Sequence, residues 1–226
     1  MLIRIPNVLA PSEAAEICQL LDGADWKDGR QTAGYLSQQV KQNHQLREDH
    51  PLCIRLGQRI LDALDADQMF LSAALPLKVV PPLFNRYAND EQYGRHIDGA
   101  IRHIPGTGHR VRADLSVTLF LSPPESYDGG ELIIEKLDGA DSIKLAAGDL
   151  VLYSASTVHH VVPVTRGARL AAFFWLQSLV RLDAQRAMLF KLDNALQRMG
   201  HDHPDHPALV DMMAVYHNLL RLWSET

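Results

Sequence analysis

The alternation of apolar and polar positions changes period twice along the chain. In the first stretch Ile17, Leu20 and Leu21 fall on one side of a helical wheel, with Ser12 and Glu13 opening that helix and Gly23 closing it. Residues 25–45 are polar and glycine-bearing, running through Trp26-Lys27-Asp28-Gly29-Arg30 and Gln31-Thr32-Ala33-Gly34, and show no clear period. Asp49 is the predicted cap of a second helix, with Pro51 in its first turn and Cys53, Leu56, Ile60 and Leu64 as its buried stripe.

From Lys78 the period becomes two. Eight short strands are predicted, at 78–87, 92–98, 114–121, 131–135, 142–145, 149–153, 158–164 and 169–177. Turn residues punctuate them at Gly94, Pro105-Gly106, Pro123-Pro124, Gly129-Gly130, Gly139, Gly148 and Gly167. With no helical pattern between them, such strands predict two antiparallel sheets packed as a jelly roll, the double-stranded β-helix. After Gln177 the helical period returns, with Leu182, Leu189, Leu192, Leu196 and Met199 on one stripe and Leu209, Met213, Tyr216, Leu220 and Trp223 on another. The expected class is therefore α+β: a helical buttress over 1–77, a jelly-roll core over 78–178 and a helical extension over 179–226. The heptad-like spacing of the last helices also suits a homo-oligomer contact.

Composition narrows the function classes. With 226 residues and 46% hydrophobic content the chain can bury a full core. A net charge of -5 argues against an ordinary basic nucleic-acid surface. No apolar run approaches a membrane span, and Met1-Leu2-Ile3-Arg4-Ile5-Pro6 lacks the apolar core of a signal peptide, so the cytoplasm is the expected compartment. Cys18 and Cys53 lie on separate predicted helices without metal-binding spacing and read as small buried hydrophobes.

The chemistry concentrates between Asn85 and Arg169. His96 and Asp98 are two apart on a predicted strand and so share a face, while Ile97 points the other way. His159 heads a later strand, and two imidazoles with one carboxylate on one face of a divalent metal form the triad of non-haem Fe(II) oxygenases, which leaves the opposite face open. Arg169 opens the otherwise apolar strand Leu170-Ala171-Ala172-Phe173-Phe174, where an inward guanidinium needs a carboxylate partner. Together these residues predict an iron site with an anchor for an acidic cosubstrate. A second His-x-Asp triplet, His203-Pro204-Asp205, has no sheet behind it and reads as a solvated loop, while His201, His203 and His206 form a loop cluster able to take up stray metal. Arg86, Arg102, Arg110 and Arg112 read as strand-edge charges, with a groove for an acidic or peptide substrate as the alternative, and His103 and His109 lie in a loop suited to a lid.

Several runs carry a family resemblance: Asn85-Arg86-Tyr87, His96-Ile97-Asp98, Ala100-Ile101-Arg102, Arg112-Ala113-Asp114-Leu115-Ser116, Tyr127-Asp128-Gly129-Gly130-Glu131-Leu132, Gly148-Asp149-Leu150-Val151-Leu152-Tyr153, and Pro163 through Arg169 with Phe173-Phe174-Trp175. The chain resembles the bacterial PKHD-type hydroxylases, Fe(II)/2-oxoglutarate dioxygenases of the branch that includes prolyl 4-hydroxylase catalytic domains. The resemblance implies that His96, Asp98 and His159 bind Fe(2+), that Arg169 anchors the distal carboxylate of 2-oxoglutarate, and that Tyr87 places a hydroxyl near it. It implies hydroxylation of an unidentified peptidyl or small-molecule substrate with O2, release of succinate and CO2, and L-ascorbate as a reductant. His160 departs from the expected arginine without touching the ligand set. A link of the family to iron uptake keeps open an iron-binding regulatory protein without turnover, and a metal-free jelly-roll binding module is the third reading.

Overall fold

The computed structural model describes residues 1–32, 34–104 and 106–225, the side chain of Thr32 excepted, so that Ala33 of the polar stretch and the turn residue Pro105 lie outside the described residues. The chain opens with strand β1 (Leu2–Ile5) and helix α1 (Pro11–Asp22). Short strands β2 (Trp26–Asp28), β3 (Lys41–Gln42) and β4 (His44–Leu46) follow, with the one-turn helix α2 (Tyr35–Gln38) before β3. Helices α3 (Pro51–Ala66) and α4 (Gln68–Ala74) lead into β5 (Pro76–Val79), β6 (Leu83–Ala88) and β7 (Gln92–His96). A hairpin of β8 (Ile101–His103) and β9 (Arg110–Arg112) precedes β10 (Leu115–Phe120), β11 (Asp128–Gly129), β12 (Leu132–Lys136), β13 (Gly139–Ile143) and β14 (Leu150–Ser154). The sheet strands end with β15 (His159–Val161), β16 (Val164–Arg166) and the long β17 (Ala168–Ser178), and α5 (Asp183–Asp202) and α6 (Ala208–Trp223) complete the chain.

These elements form two main antiparallel sheets, with β8-β9 and β11-β16 as separate two-stranded pairs. The larger runs β1-β14-β10-β17-β6-β4-β2, with β5 on the far part of β17, and the smaller runs β13-β12-β15-β7-β3. Side-chain alternation along β10 explains the layering. Leu115, Val117 and Leu119 face one way and join Ile17, Leu21, Leu56, Ile60 and Phe70 of the helices in the main core. Phe120 faces the other way and packs with Tyr87, Val151 and Tyr153 of its own sheet and Leu132, Ile134 and Val161 of the smaller one. Between these two layers lies the space for a site. Helices α5 and α6 close a third, smaller core around Leu75, Val180, Leu189, Leu196 and Tyr216.

The strand prediction differs from the structure in informative places. The strand expected at 78–87 is broken around Pro81 and Pro82, which have no amide to give to a ladder, and the one at 158–164 breaks before Val164. The first eighty residues, expected to be helical with loops, contribute β1 to β4 to the two sheets. Strands of two to four residues are too short for a period to show. Helix α3 is capped by His50, whose ring nitrogen accepts from the Leu52 amide at 3.1 Å, while Asp49 pairs with Arg47 instead. Cys18 and Cys53 lie on α1 and α3 as free thiols. Among the described residues no helix is long and apolar enough to cross a membrane.

Candidate active site

The smaller sheet brings the two histidines together. β7 and β15 pair antiparallel with His96 directly across from His159, and Asp98 follows two residues after His96. One side-chain ligand atom from each of the three lies within 4.8 Å of the others, and this is the one such group among the described residues. The Nδ1 of His96 sits 2.8 Å from the Gly94 carbonyl oxygen and the Nδ1 of His159 2.9 Å from that of Thr157. Donation to those carbonyls places the proton on Nδ1 and leaves Nε2 as the lone pair facing the cluster, the arrangement a metal requires. Burial, aided by the adjacent His159, pushes His96 down to about 4, so its ring is neutral at neutral pH. For Asp98 burial works against the charged form, yet His159, the Ser116 hydroxyl and Trp175 outweigh it and hold the carboxyl below its usual range. Ser116 donates to Asp98 Oδ2 at 2.6 Å. Tyr93 stacks on the His96 ring at 3.6 Å, and Tyr153 meets His159 edge-on at 5.1 Å. Two imidazoles and an ionised carboxylate, all oriented by their neighbours, suit a divalent first-row metal.

The larger sheet supplies the other half. Arg169, 1% exposed, lies across from Tyr87 in the β6–β17 pairing. Its guanidinium is 5.4 Å from the Tyr87 ring and 5.1 Å from that of Phe120, and Nε and Nη1 are buried with no hydrogen-bond partner. Tyr87 is itself buried, which pushes its phenol above the ordinary range and keeps it protonated. Gly130 makes room for this arginine: its φ of +70° is a glycine conformation, and a Cβ there would stand 3.0 Å from Arg169 Cδ and 2.9 Å from both Tyr127 and Val164. His96, Asp98, His159, Arg169 and Tyr87 all line one cavity of about 1690 Å³ between the sheets.

Comparison with known proteins places this geometry. Residues 82–177 match the 2OG-Fe(II) oxygenase superfamily and residues 183–225 match the PKHD-type hydroxylase C-terminal domain. A PKHD-type hydroxylase of Bordetella pertussis is 55% identical over 225 residues, spanning 100% of both chains. The chain belongs to the PKHD-type hydroxylases. This hydroxylase is an Fe(II)- and 2-oxoglutarate-dependent dioxygenase. Among solved structures, a prolyl-4-hydroxylase from Pseudomonas putida is similar in fold, with a TM-score of 0.51 at 21% identity over 78% of this chain and 92% of that one. HygX from Streptomyces hygroscopicus, solved with nickel, 2-oxoglutarate and hygromycin B bound, gives a TM-score of 0.53 at 15% identity over 79% of this chain and 84% of that one.

Ser116, Trp175 and Lys41 stand at the cavity of the hydroxylase without having been singled out from sequence, and Arg102, read there as a strand-edge charge or a groove residue, joins them. Ser116 and Trp175 are partners in the β10–β17 register, and both touch Asp98. Lys41 of β3 is buried with its Nζ 5.2 Å from the Tyr93 ring, and burial pushes its ammonium down to about 8. Arg102 of the β8–β9 hairpin lies flat on Trp175, with Cζ 3.5 Å from the ring centroid. Arg112 does behave as a strand-edge charge, closing on Asp114 and Glu225 at 2.7 Å. His201 in the last turn of α5 and His203 and His206 between α5 and α6 are exposed, and no metal-binding group forms there among the described residues.

Proposed function

We propose that the cavity between the sheets, built on a double-stranded β-helix, is the catalytic site. In this reading His96, Asp98 and His159 hold Fe(II), and Arg169 binds the distal carboxylate of 2-oxoglutarate with Tyr87 beside it. A C–H bond of a peptidyl or small-molecule substrate is presented from the open end. The observation that carries this reading is that two complementary half-sites share one cavity. Three ligand atoms converge at one place, and a guanidinium with two buried, unpartnered nitrogens stands at another. A buried cation without a hydrogen-bonded counter-charge is costly, and a ligand carboxylate removes that cost.

When bound, Fe(II) with 2-oxoglutarate and O2 supplies oxidative decarboxylation to succinate and CO2 together with insertion of one oxygen atom into the substrate C–H bond. The protein's part is orientation. The Gly94 and Thr157 carbonyls hold both imidazoles with Nε2 inward. Ser116 fixes the rotamer of Asp98. Arg169 sets the depth at which the cosubstrate sits, and Leu132 and Val161 give the cavity apolar wall that keeps bulk water out. L-Ascorbate is the expected external reductant. The test is anaerobic addition of Fe(II) and then 2-oxoglutarate to the metal-free protein, followed through the visible absorbance of a chelated 2-oxo acid. The absorbance develops in wild type, weakens in Arg169→Ala and is lost in His96→Ala; its absence in metal-loaded wild type rules out the cosubstrate assignment.

A further inference from the structure

Arg102 is the unusual cation of the cavity. Its side chain is 25% exposed and lies face-on over Trp175 at 3.5 Å, which fixes the plane of the guanidinium. The nearest carboxylate oxygen, Asp98 Oδ1, is 3.6 Å from Nη2, beyond hydrogen-bond reach, and Nε is buried without a partner. The other oxygen of Asp98 already takes the Ser116 hydroxyl. Glu48 also faces Arg102 across the cavity, but burial raises its pKa and no ion pair forms between them. By contrast Arg95, Arg112 and Arg166 each close on a carboxylate at 2.5 to 2.7 Å. A stacked, desolvated guanidinium with free donors is preorganised for a bidentate oxyanion.

The walls beyond Arg102 are of the opposite character. Tyr35, Leu36, Val40, Ile54, Ile97 and Ile101 all line the cavity, yet they are exposed, from 39% at Val40 to 80% at Tyr35. Solvent-exposed apolar side chains gathered around one opening mark a ligand surface. They come from α2 and the turn after it, α3, the segment after β7 and the β8–β9 hairpin, which surround the entrance on several sides.

We propose that Arg102, held flat by Trp175, anchors a carboxylate of the primary substrate, and that this substrate is an apolar molecule carrying that acid group. The inference rests on the catalytic reading above and concerns the substrate end of the same cavity. Arg169 and Arg102 then divide the acids between them, one for the cosubstrate and one for the molecule to be hydroxylated.

The experiment uses the full-length protein loaded with Ni(II) and saturating 2-oxoglutarate, so that the triad and Arg169 are occupied. The probes are 4-phenylbutanoate and its neutral amide, titrated by calorimetry. In wild type the acid binds about tenfold or more tightly than the amide, as expected for hydrogen bonds to a charged group. Arg102→Gln removes that preference while the amide affinity, a check on cavity integrity, is retained, and Arg102→Lys keeps part of it. Acid binding no tighter than amide binding in wild type, or a preference that survives in Arg102→Gln, overturns the proposal. A residue that only steadies Asp98 would alter Ni(II) affinity and leave the acid-to-amide ratio unchanged. Uptake of 2-oxoglutarate is measured first: if it fails, the catalytic reading falls and this inference with it, whereas normal uptake without acid preference sinks this inference alone.

Discussion

Replacing Arg169 by methionine separates function from stability in opposite directions. The guanidinium offers Nε and Nη1 unpartnered to the cavity, and each hydrogen bond to a charged group is worth about 1.5–3 kcal/mol. Losing two of them costs about 3–6 kcal/mol, which raises the Kd for 2-oxoglutarate by about 10²–10⁴-fold. Without the cosubstrate the sign reverses. Arg169 is 1% exposed, and the Tyr87 and Phe120 rings at 5.4 and 5.1 Å return only part of its hydration. For a desolvated cation such cation–π contacts recover about 2 kcal/mol per ring, against a desolvation penalty of several kcal/mol. An apolar side chain of similar length therefore stabilises the ligand-free fold by about 1–2 kcal/mol, a rise of about 2–8 °C in Tm. Calorimetric titration of 2-oxoglutarate into Ni(II)-loaded protein gives the first quantity and scanning calorimetry of ligand-free protein the second. A Kd within about threefold of wild type would show that Arg169 is not the anchor. A clear fall in Tm would show that the guanidinium is a satisfied structural group.

Gly130→Ala should lower Tm and weaken 2-oxoglutarate together, because the new methyl meets Arg169 Cδ at 3.0 Å and the backbone is held at φ +70°; left-handed strain alone costs about 1–2 kcal/mol, and normal cosubstrate affinity in a destabilised variant would detach Gly130 from the anchor. His96, pushed down to about 4 in the fold from 6.5, gives a pH dependence of known sign. The unfolded chain takes up that proton first, so metal-free protein loses stability as pH falls from 6.5 towards 4, and His96→Phe removes that component; a Tm profile for the variant that parallels wild type contradicts it. Burial pushes Cys18 up to about 11 and Cys53 to about 12, so iodoacetamide at pH 8 should leave both unmodified in the native protein and alkylate both in guanidinium, as read by mass spectrometry.

What was legible in the sequence is what rests on local period. His96 and Asp98 share a face because they are two apart in an extended chain, and Arg169 stands out as a cation in an apolar strand. Trp175 and Ser116 were not legible as site residues, and Arg102 was legible only as one of four strand-edge arginines with a groove as the alternative, for a different reason. Their roles come from register and from a hairpin folding back: Ser116 lies across from Trp175 only in the β10–β17 ladder, and Arg102 reaches Trp175 only over the cavity mouth. Lys41 was hidden in the same way, since β3 has two residues and its place is set by pairing with β7. The aperiodic stretch 25–45 thus holds strands whose partners are Leu46 to His44 and Tyr93 to Gln92, information that lies outside any local window.

Strand β17 also works as a ruler. Arg169 and Trp175 are six residues apart on it, an even number, so both point to the same side, about 20 Å apart at the usual rise of about 3.3 Å per residue. One uninterrupted ribbon therefore sets how far Arg169, the proposed cosubstrate anchor, stands from the Trp175 shelf, and neither end can drift without the other. Removing or inserting a single residue between them would reverse parity and turn one of the two side chains toward the helices. Length variation in this protein is consequently tolerable in its turns and forbidden between Arg169 and Trp175, where diversity has to come from exchanging side chains at constant spacing.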